Sequence, residues 1–511
     1  MDILAFSLYF VAMLAIGIYF FVKSKEVTEK DYFLGGRKMG PWVTAMSAQA
    51  SDMSAWLLMG LPGSILAYGF GQAWIGIGLA IGTAANWILV AKRLRKFSRA
   101  SGDAITLPQY LSNRFASKSH TVSIICAIVF LICFTIYVAS AFVAGAGVFT
   151  TLIPKLSKET AMIIFALIVV TYTFLGGFNA VCWTDFFQGL LMLGALLIVP
   201  IVIGFTRTLD PAALSTVYTG PNGEEYKFVA NFFNASWQDI LSGLGWGLGY
   251  FGMPHIIVRF MAIEKPSMVK KSATVAIIWV VLSLAATIVI AYFGRMFVYS
   301  NGVDLSKELL SSGNQQLIFV ELARDVFPAF IAGLLLAAII AASMSTADSQ
   351  LLVAASSFSS DLYKPLIRKQ ASNKEMLWVS RIIVLLISVV AFFIASSKGE
   401  AAQAIMDLVE NAWGIFGAAF GPVVLLSLFW KRFTYKGAVA GIITGAVVDM
   451  GWLWIPMVAG KTLTAYTGVY EIIPGFIIGG IVAITVTLLD KKPSQEVVAI
   501  YENATNDAID D

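Results

Sequence analysis

A run of polar residues interrupts one of the long apolar stretches of this sequence. It places an amide, two hydroxyls and a carboxylate at Gln49, Ser51, Ser54 and Asp52, and the glycine- and proline-containing segment 60–63 follows. Ionisable side chains are costly inside a membrane and mark function when they occur there. Because Asp52 adjoins a position where a helix would break, it is the first candidate for a functional role.

A second group of oxygen-bearing residues ends another apolar stretch, at residues 341–350. Hard cations such as Na⁺ prefer oxygen ligands. The hydroxyls of Ser345 and Thr346, together with carbonyls freed by an unwound helix, can form a cage for Na⁺ without a carboxylate ligand. Alternatively, the two hydroxyls bond the backbone of their own helix four residues earlier.

Further acidic residues lie within or near apolar stretches. Asp185 either acts inside the membrane or, with Thr184, caps the start of an interfacial helix. Asp407, Glu410 and Asp449 face either a cavity or the inner membrane interface, and the sequence leaves both open.

A third apolar stretch, 242–254, is interrupted by closely spaced glycines and ends in a proline. Glycine weakens a helix and proline removes a backbone donor. Non-helical backbone at membrane depth persists only where protein or a water-filled cavity satisfies it. Paired breaks in the two halves of a chain are typical of inverted-repeat transporters, whose binding sites lie near the midplane. The alternative is close helix packing through small residues.

Long membrane-crossing helices must position these residues. The chain has 511 residues, of which 58% are hydrophobic and 13% charged, whereas soluble domains average about 25% charged residues. Its three cysteines lie in apolar runs, so no disulfide framework is predicted, and no cleavable signal peptide is recognisable. Stretches of about 20 apolar residues predict thirteen transmembrane helices, at 3–22, 42–67, 71–91, 122–151, 160–176, 180–205, 236–258, 272–294, 325–357, 376–397, 403–430, 437–459 and 471–489.

The distribution of basic residues predicts the orientation of these helices. Most of the 35 Lys and Arg residues fall in alternate loops, including Lys25 in the first loop and Arg259 near the end of the seventh helix. Because basic loops stay on the cytoplasmic side, the N-terminus is predicted outside and the C-terminus inside. The tail is predicted to be mobile, and its acidic residues are Glu496, Glu502, Asp507, Asp510 and Asp511.

Motifs of other protein classes are missing from the sequence. Residues 459–462 resemble the end of a phosphate-binding loop, but the glycine required upstream is Ile455. The two histidines, His120 and His255, are too far apart in sequence to suggest a zinc site or a triad. No selectivity-filter motif recurs. We therefore expect neither an enzyme, nor an ATP-driven pump, nor a channel.

Several motifs resemble the sodium/solute symporter family. The resemblance extends over about residues 5 to 490 and is greatest to the proline-transporting members of the family. It rests on Asp31-Tyr-Phe-Leu-Gly-Gly-Arg37, Ser51-Asp-Met-Ser54, Trp56-Leu-Leu-Met-Gly-Leu-Pro-Gly63, Trp246-Gly-Leu-Gly-Tyr-Phe-Gly252, Met344-Ser-Thr346, Phe416-Gly-Ala-Ala-Phe-Gly-Pro-Val423 and Tyr470-Glu-Ile-Ile-Pro-Gly475.

The resemblance implies an all-α polytopic membrane protein with a LeuT-type core of two inverted five-helix repeats. Residues 1–41 would form the first transmembrane helix and a cytoplasmic loop, and 42–205 the first repeat. Residues 236–430 would form the second repeat, 437–489 the last two helices and 490–511 the cytoplasmic tail. The location implied is the plasma membrane of a bacterium.

The resemblance also implies two cation sites and a coupling residue. Asp52 matches the carboxylate that the family uses for Na⁺ coupling. A second cation site, known in some relatives, would map onto Asp185, Ser345, Asp348 and Ser349, with Asp348 in place of a hydroxyl residue. The usual Na⁺ site would map onto Ala50, Met53, Ala342, Ser345 and Thr346.

The implied solute is L-proline or a similar small molecule, carried with Na⁺ across the lipid bilayer by alternating access, and no nucleic-acid partner is expected. Gln49, Ala55 and Met253 depart from the pattern of the proline carriers. The alternatives are Na⁺- or H⁺-coupled symport of another small solute, with Asp348 or Glu410 as proton carrier, and a transporter-like solute sensor. The implied solute contacts are Ser54, Trp56, Tyr137, Trp246, Tyr250 and Pro254.

Overall fold

The structure is a computed structural model that describes residues 1–23, 28–397 and 404–506. Lys25 and the tail residues Asp507, Asp510 and Asp511 lie outside the described residues. The described chain is mostly helical, as its long apolar stretches predict. The first half contains the helices α1 (Asp2–Lys23), α2 (Glu29–Leu34), α3 (Pro41–Asp52), α4 (Leu61–Tyr68), α5 (Phe70–Ala85), α6 (Lys92–Ala100), α7 (Leu107–Arg114), α8 (Thr121–Leu152), α9 (Lys158–Thr206) and α10 (Trp237–Gly245).

The second half is also mostly helical, and the chain contains two short hairpins, one before α10 and one in the second half. The hairpins are β1 (Tyr218–Thr219) with β2 (Glu225–Tyr226) and β3 (Pro456–Val458) with β4 (Lys461–Thr462), both antiparallel. The helices are α11 (Pro254–Ala262), α12 (Val269–Met296), α13 (Leu305–Ser311), α14 (Ile318–Val326), α15 (Ala329–Ser356), α16 (Asn373–Ser397), α17 (Ala404–Phe429), α18 (Tyr435–Trp454), α19 (Leu463–Thr467), α20 (Ile472–Leu489) and α21 (Gln495–Thr505).

Irregular helical turns connect several of these helices. Segments Trp56–Gly60, Asn86–Ala91 and Ser357–Ile367 are π-helical, and Trp246–Phe251 is a 3₁₀ helix. Within the described residues, ten helices are long and apolar enough to cross a membrane. The other three predicted helices are the two broken ones, around 42–67 and 236–258, and 160–176 in the first part of α9. The prediction of thirteen transmembrane helices therefore requires that these interrupted segments also cross the membrane.

Residues 160–176 and 180–205 were predicted as two spans, and α9 is kinked between them at Gly177, whose φ of 58° and ψ of −177° are not helical. Two other sequence-based expectations are corrected by the structure. The predicted twelfth span ends at Trp454, and its last residues form a β-hairpin instead. The tail is not wholly mobile, because Gln495–Thr505 is helical.

Helix α21 is held against α6 and α7 by specific contacts. The Arg93 guanidinium donates a hydrogen bond to the Tyr501 hydroxyl at 3.4 Å. Arg114 donates to the carbonyl of Val497 at 3.3 Å, and its guanidinium lies 5.1 Å from the Tyr501 ring. A cation over an aromatic face is attracted by the negative face of the ring. The tail is therefore docked at the same end of the bundle as α6.

The burial of the long helices defines a core and a periphery. Among the ten apolar helices, α15 and α17 are the most buried, and α1 and α20 are the least. Peripheral residues such as Val11 and Ile481 are more than half exposed. Exposed apolar side chains are expected where the solvent is lipid. The two broken helices, α3–α4 and α10–α11, pack next to the buried helices α15 and α17.

Candidate functional site

The break after α3 frees a backbone carbonyl at the centre of the molecule. Helix α3 ends at Asp52, and Met53 leaves the helical region with φ −82° and ψ 80°. The N–H of Ser54, which in a continuous helix would bond the Ala50 carbonyl, donates instead to the Asp52 carbonyl at 3.0 Å. The Ala50 carbonyl is left for another partner.

That partner comes from α15. The Ser345 hydroxyl lies 2.7 Å from the Ala50 carbonyl oxygen and 3.1 Å from that of Ala342, so it can donate to either. The alternative that Ser345 bonds only its own helix is therefore wrong. The neighbouring Thr346 hydroxyl is buried and has no hydrogen-bond partner among the described residues. With Met53 at the break, the five residues of the predicted Na⁺ site belong to two segments in direct contact.

Asp52 links the break in α3 to the break between α10 and α11. Its carboxylate is 1% exposed. One oxygen accepts a hydrogen bond from the Tyr250 hydroxyl at 2.5 Å, and the other has no partner in the described part of the chain. The Trp56 indole donates to the Asp52 carbonyl at 3.4 Å. The two interrupted helices are thus joined through a buried carboxylate.

Aromatic rings surround this junction. The Trp413 indole donates to the Trp246 carbonyl at 2.8 Å, and its ring meets Tyr250 edge-on at 5.1 Å. The Tyr470 ring lies 5.1 Å from the Trp246 ring. Sequence reasoning missed Trp413, and it noted Tyr470 only as part of a motif. The predicted solute residues are all buried, namely Ser54, Trp56, Tyr137, Trp246, Tyr250 and Pro254.

The predicted second cation site contains a basic residue that the sequence analysis had assigned to the inner face. Arg259 is 1% exposed and its guanidinium pairs with the Asp185 carboxylate at 3.1 Å. It also donates to the Ser349 hydroxyl at 2.5 Å. Ser47 donates to the same Asp185 oxygen at 2.7 Å. A guanidinium therefore already contacts two of the four predicted ligands, and Asp348 lies fully buried beside Ser349.

Of the two alternatives for Asp185, the one in which it caps a helix start with Thr184 is wrong. Both residues lie in the interior of α9, and the Thr184 hydroxyl lies 2.9 Å from the carbonyls of Ala180 and of Val181, within its own helix. A carboxylate in the middle of a helix has no free N–H groups to cap. Asp185 instead forms the buried ion pair with Arg259.

The late acidic residues lie at one end of α17. Asp407 and Glu410 belong to its first two turns, and the Tyr470 hydroxyl donates to the Glu410 carbonyl at 2.9 Å. Asp449 is fully buried near the end of α18. The opposite end of α17 carries Leu428, whose carbonyl accepts from Arg93. The acids are therefore at the far end of the bundle from the basic helix α6.

Two solved structures share the overall fold of this chain. A substrate-bound outward-open Na⁺-coupled sialic acid symporter is similar over 97% of this chain and 99% of its own, with 20% identity and a TM-score of 0.73. Mhp1, a nucleobase-cation-symport-1 family transporter in a closed conformation, is similar over 92% and 97%, with 12% identity and a TM-score of 0.54. The chain therefore has the same helical fold as these two proteins.

The family follows from the sequence comparison. The model of the sodium:solute symporter family matches residues 32–445, and the chain belongs to this family. The sodium/proline symporters of Haemophilus influenzae and Escherichia coli K12 are 41% and 42% identical, over 98% and 96% of this chain and 97% and 94% of theirs. The high-affinity proline transporter PutP of Bacillus subtilis is 41% identical over 95% and 97%. The predicted family is confirmed, and it is one of transporters rather than enzymes.

Proposed function

We propose that this protein is a secondary active transporter that couples the uptake of L-proline to Na⁺ entry by alternating access. Full-length relatives named as sodium/proline symporters support the solute and the ion. The observation that carries the proposal is the contact between the Ser345 hydroxyl and the Ala50 carbonyl at a broken helix. It joins the two segments that a bound Na⁺ would have to bridge.

Na⁺ would bind between α3 and α15. Its ligands would be the carbonyls of Ala50, Met53 and Ala342 and the hydroxyls of Ser345 and Thr346. The unpartnered Thr346 hydroxyl supports this assignment, because a buried polar atom without a partner is rare in native proteins. Hard cations are held by oxygen atoms of this kind.

The solute would lie between the two helix breaks. Aromatic faces suit the apolar ring of proline, and the positive N-terminal end of a half-helix suits its carboxylate. Because the six predicted contact residues are buried, the broken helices must separate from their neighbours to admit the solute. Asp52 would couple ion and solute, since it bonds Tyr250 while its own carbonyl accepts from Trp56. Coupling requires each ligand to bind one conformation better than the other.

The finer architecture is part of the same proposal. Thirteen transmembrane helices would form two inverted five-helix repeats, 42–205 and 236–430, with one helix before and two after. The N-terminus would lie outside and the tail in the cytoplasm of a bacterial cell. The position of the basic helix α6 and of the docked tail at one end of the bundle supports this orientation.

Arg259 bears on the number of ions carried. Its guanidinium already neutralises Asp185 and contacts Ser349. A second Na⁺ at Asp185, Ser345, Asp348 and Ser349 would have to displace or share this charge. We therefore propose that one Na⁺ accompanies each solute.

Uptake of labelled proline into liposomes containing the purified protein tests the function. An inward Na⁺ gradient should drive accumulation, an inward H⁺ gradient alone should not, and excess unlabelled proline should suppress uptake. Accumulation driven equally by H⁺ would overturn Na⁺ coupling. Absence of uptake with either ion would remove proline as the solute and direct attention to Gln49, Ala55 and Met253.

Two substitutions test the ion site in the same assay. Ser345→Ala and Thr346→Ala should each raise the Na⁺ concentration needed for half-maximal uptake several-fold, since each removes a hydroxyl from the cage. Ser388→Ala is a matched control, because this buried hydroxyl donates to the Val384 carbonyl of its own helix at 2.8 Å. Equal Na⁺ dependence in all three variants would contradict the assignment.

A further inference from the structure

An open cleft lies at the end of the bundle where α5 continues into α6. Its volume is about 560 Å³, and it is bounded by the start of α2, the turn before α3, helix α6 and the turn after it. None of the residues proposed for Na⁺ or proline lines it. Its lining residues are Lys30, Arg37, Arg95, Arg99, Gly102 and Asp103.

The cleft has too little negative charge for its basic residues. Among the described residues that line it, four are basic and one is acidic. Asp103 is shared, because it pairs with Lys30 and, at 2.8 Å, with the Nε atom of Arg37. Burial first, and then the neighbouring Arg95 guanidinium, lower the pKa of Arg37 to about 10. The site would be stabilised by an added anion.

Arg95 provides an independent sign of a missing partner. Its guanidinium is held in place because Nε donates to the Ile263 carbonyl at 2.6 Å and one terminal nitrogen donates to the Glu264 carbonyl at 3.0 Å. The other terminal nitrogen, Nη1, is buried and meets no acceptor within the described ranges. The side chain is 3% exposed and lines the cleft. A buried guanidinium donor without an acceptor is unusual.

We propose that this cleft binds the phosphoryl headgroup of an anionic phospholipid. Arginine presents planar, paired donors that match phosphate oxygens. The large apolar residues Ile88 and Leu89 are exposed one to two turns before Arg95 and suit acyl chains. That apolar surface would contribute nothing to the binding of a free phosphate ion. On the proposed orientation this end faces the cytoplasmic leaflet, where anionic lipids collect at basic pockets between transmembrane helices.

The test measures lipid binding to the full chain, purified in a neutral detergent without any ion or solute gradient. Dioctanoyl phosphatidylglycerol is titrated while the thermal unfolding midpoint is followed by tryptophan fluorescence. The midpoint should rise saturably with this lipid. Dioctanoyl phosphatidylcholine and inorganic phosphate at the same concentrations should not produce the rise. Transport is not measured, so the result is independent of the proposed function.

Substitutions test whether the lipid binds in the cleft. Arg99→Gln, at an exposed lining position, should weaken the apparent affinity about fivefold, the loss expected for one basic group near anionic lipid. Arg95→Lys keeps the charge but removes the fork of donors and should also weaken binding. Lys374→Gln changes an exposed basic residue in the first turn of α16, and this variant should bind as the unmodified protein does.

Three results would overturn the proposal. Equal stabilisation by the phosphatidylcholine would show that the headgroup charge does not matter. The same saturable shift with inorganic phosphate would replace the lipid by a free anion. Unchanged phosphatidylglycerol affinity in Arg99→Gln would place the lipid elsewhere, and this variant decides the matter even if Arg95→Lys fails to fold.

Discussion

The buried ion pair between Arg259 and Asp185 offers a direct test of the energetics at the centre of the bundle. The two side chains are 1% and 0% exposed and their charged atoms are 3.1 Å apart. Removing one partner of such a pair leaves an uncompensated buried charge and costs about 3–5 kcal/mol. Arg259→Gln should therefore lower the ratio of folded to unfolded protein by a factor of about 100 or more.

A double-mutant cycle measures the pair itself. Unfolding is followed in mixed micelles with increasing denaturing detergent, for Arg259→Gln, Asp185→Asn and the double variant. Because the double variant leaves neither charge buried alone, its cost should fall short of the sum of the single costs by about 1–3 kcal/mol. The control is the pair of Lys436 and Asp490, 3.0 Å apart, whose lysine is 73% exposed, and Lys436→Gln should cost about 1 kcal/mol or less.

If the loss of unfolding free energy in the double variant equals the sum of the two single losses, the two charges do not stabilise each other. This result would refute the expected coupling. A cost for Arg259→Gln as small as that of Lys436→Gln would refute it as well. The same variant tests the second cation site. If Asp185 and Asp348 can hold Na⁺ once the guanidinium is gone, Na⁺ should raise the stability of Arg259→Gln more than that of the unmodified protein.

Two further predictions concern coupling and helix packing. Asp52→Asn weakens a charge-assisted hydrogen bond and should raise the Na⁺ requirement of uptake about tenfold or more, whereas Trp246→Ala should mainly raise the proline requirement. Equal effects of both variants on ion and solute would contradict this division of roles. Gly78→Ala would place a methyl group 2.0 Å from the Gly243 carbonyl oxygen and should lower the thermal unfolding midpoint. Gly194→Ala, whose added methyl group would meet no atom within 4 Å beyond its own helix turn among the described residues, should leave the midpoint unchanged or raise it.

Much of the fold follows from the sequence because it depends on local composition. Apolar stretches of membrane-spanning length predict the positions of the long helices, and glycine and proline predict the two breaks around Met53 and Gly252. The break in α9 lies at Gly177, between the two predicted spans 160–176 and 180–205, although the positive φ of this glycine cannot be seen in the composition. The helix Gln495–Thr505 was missed, since a polar segment becomes ordered here through contacts with α6 and α7.

Part of the candidate site consists of residues that the sequence marks as unusual, because they place oxygen-bearing side chains in an apolar stretch, as at Asp52, Ser345 and Thr346. The site was not predictable where the partner is distant in the chain. Arg259 resembles an ordinary basic residue of the inner face. It reaches Asp185 because α11 and α9 both pack against α3. Trp413 stands in an apolar stretch and carries no local signal. Its role follows from its hydrogen bond to the Trp246 carbonyl.

The docking of α21 has a consequence for the order in which the protein is made. The hydrogen bond between Arg93 and Tyr501 joins residues 408 positions apart in the chain. Chains are synthesised from the N-terminus at about 5–20 residues per second, so α6 leaves the ribosome well before Tyr501 exists. The final contacts of α6 therefore form only after the intervening helices have been inserted, as a late step of biogenesis. If the ribosome pauses before residue 495, α6 of the nascent chain has not yet contacted α21.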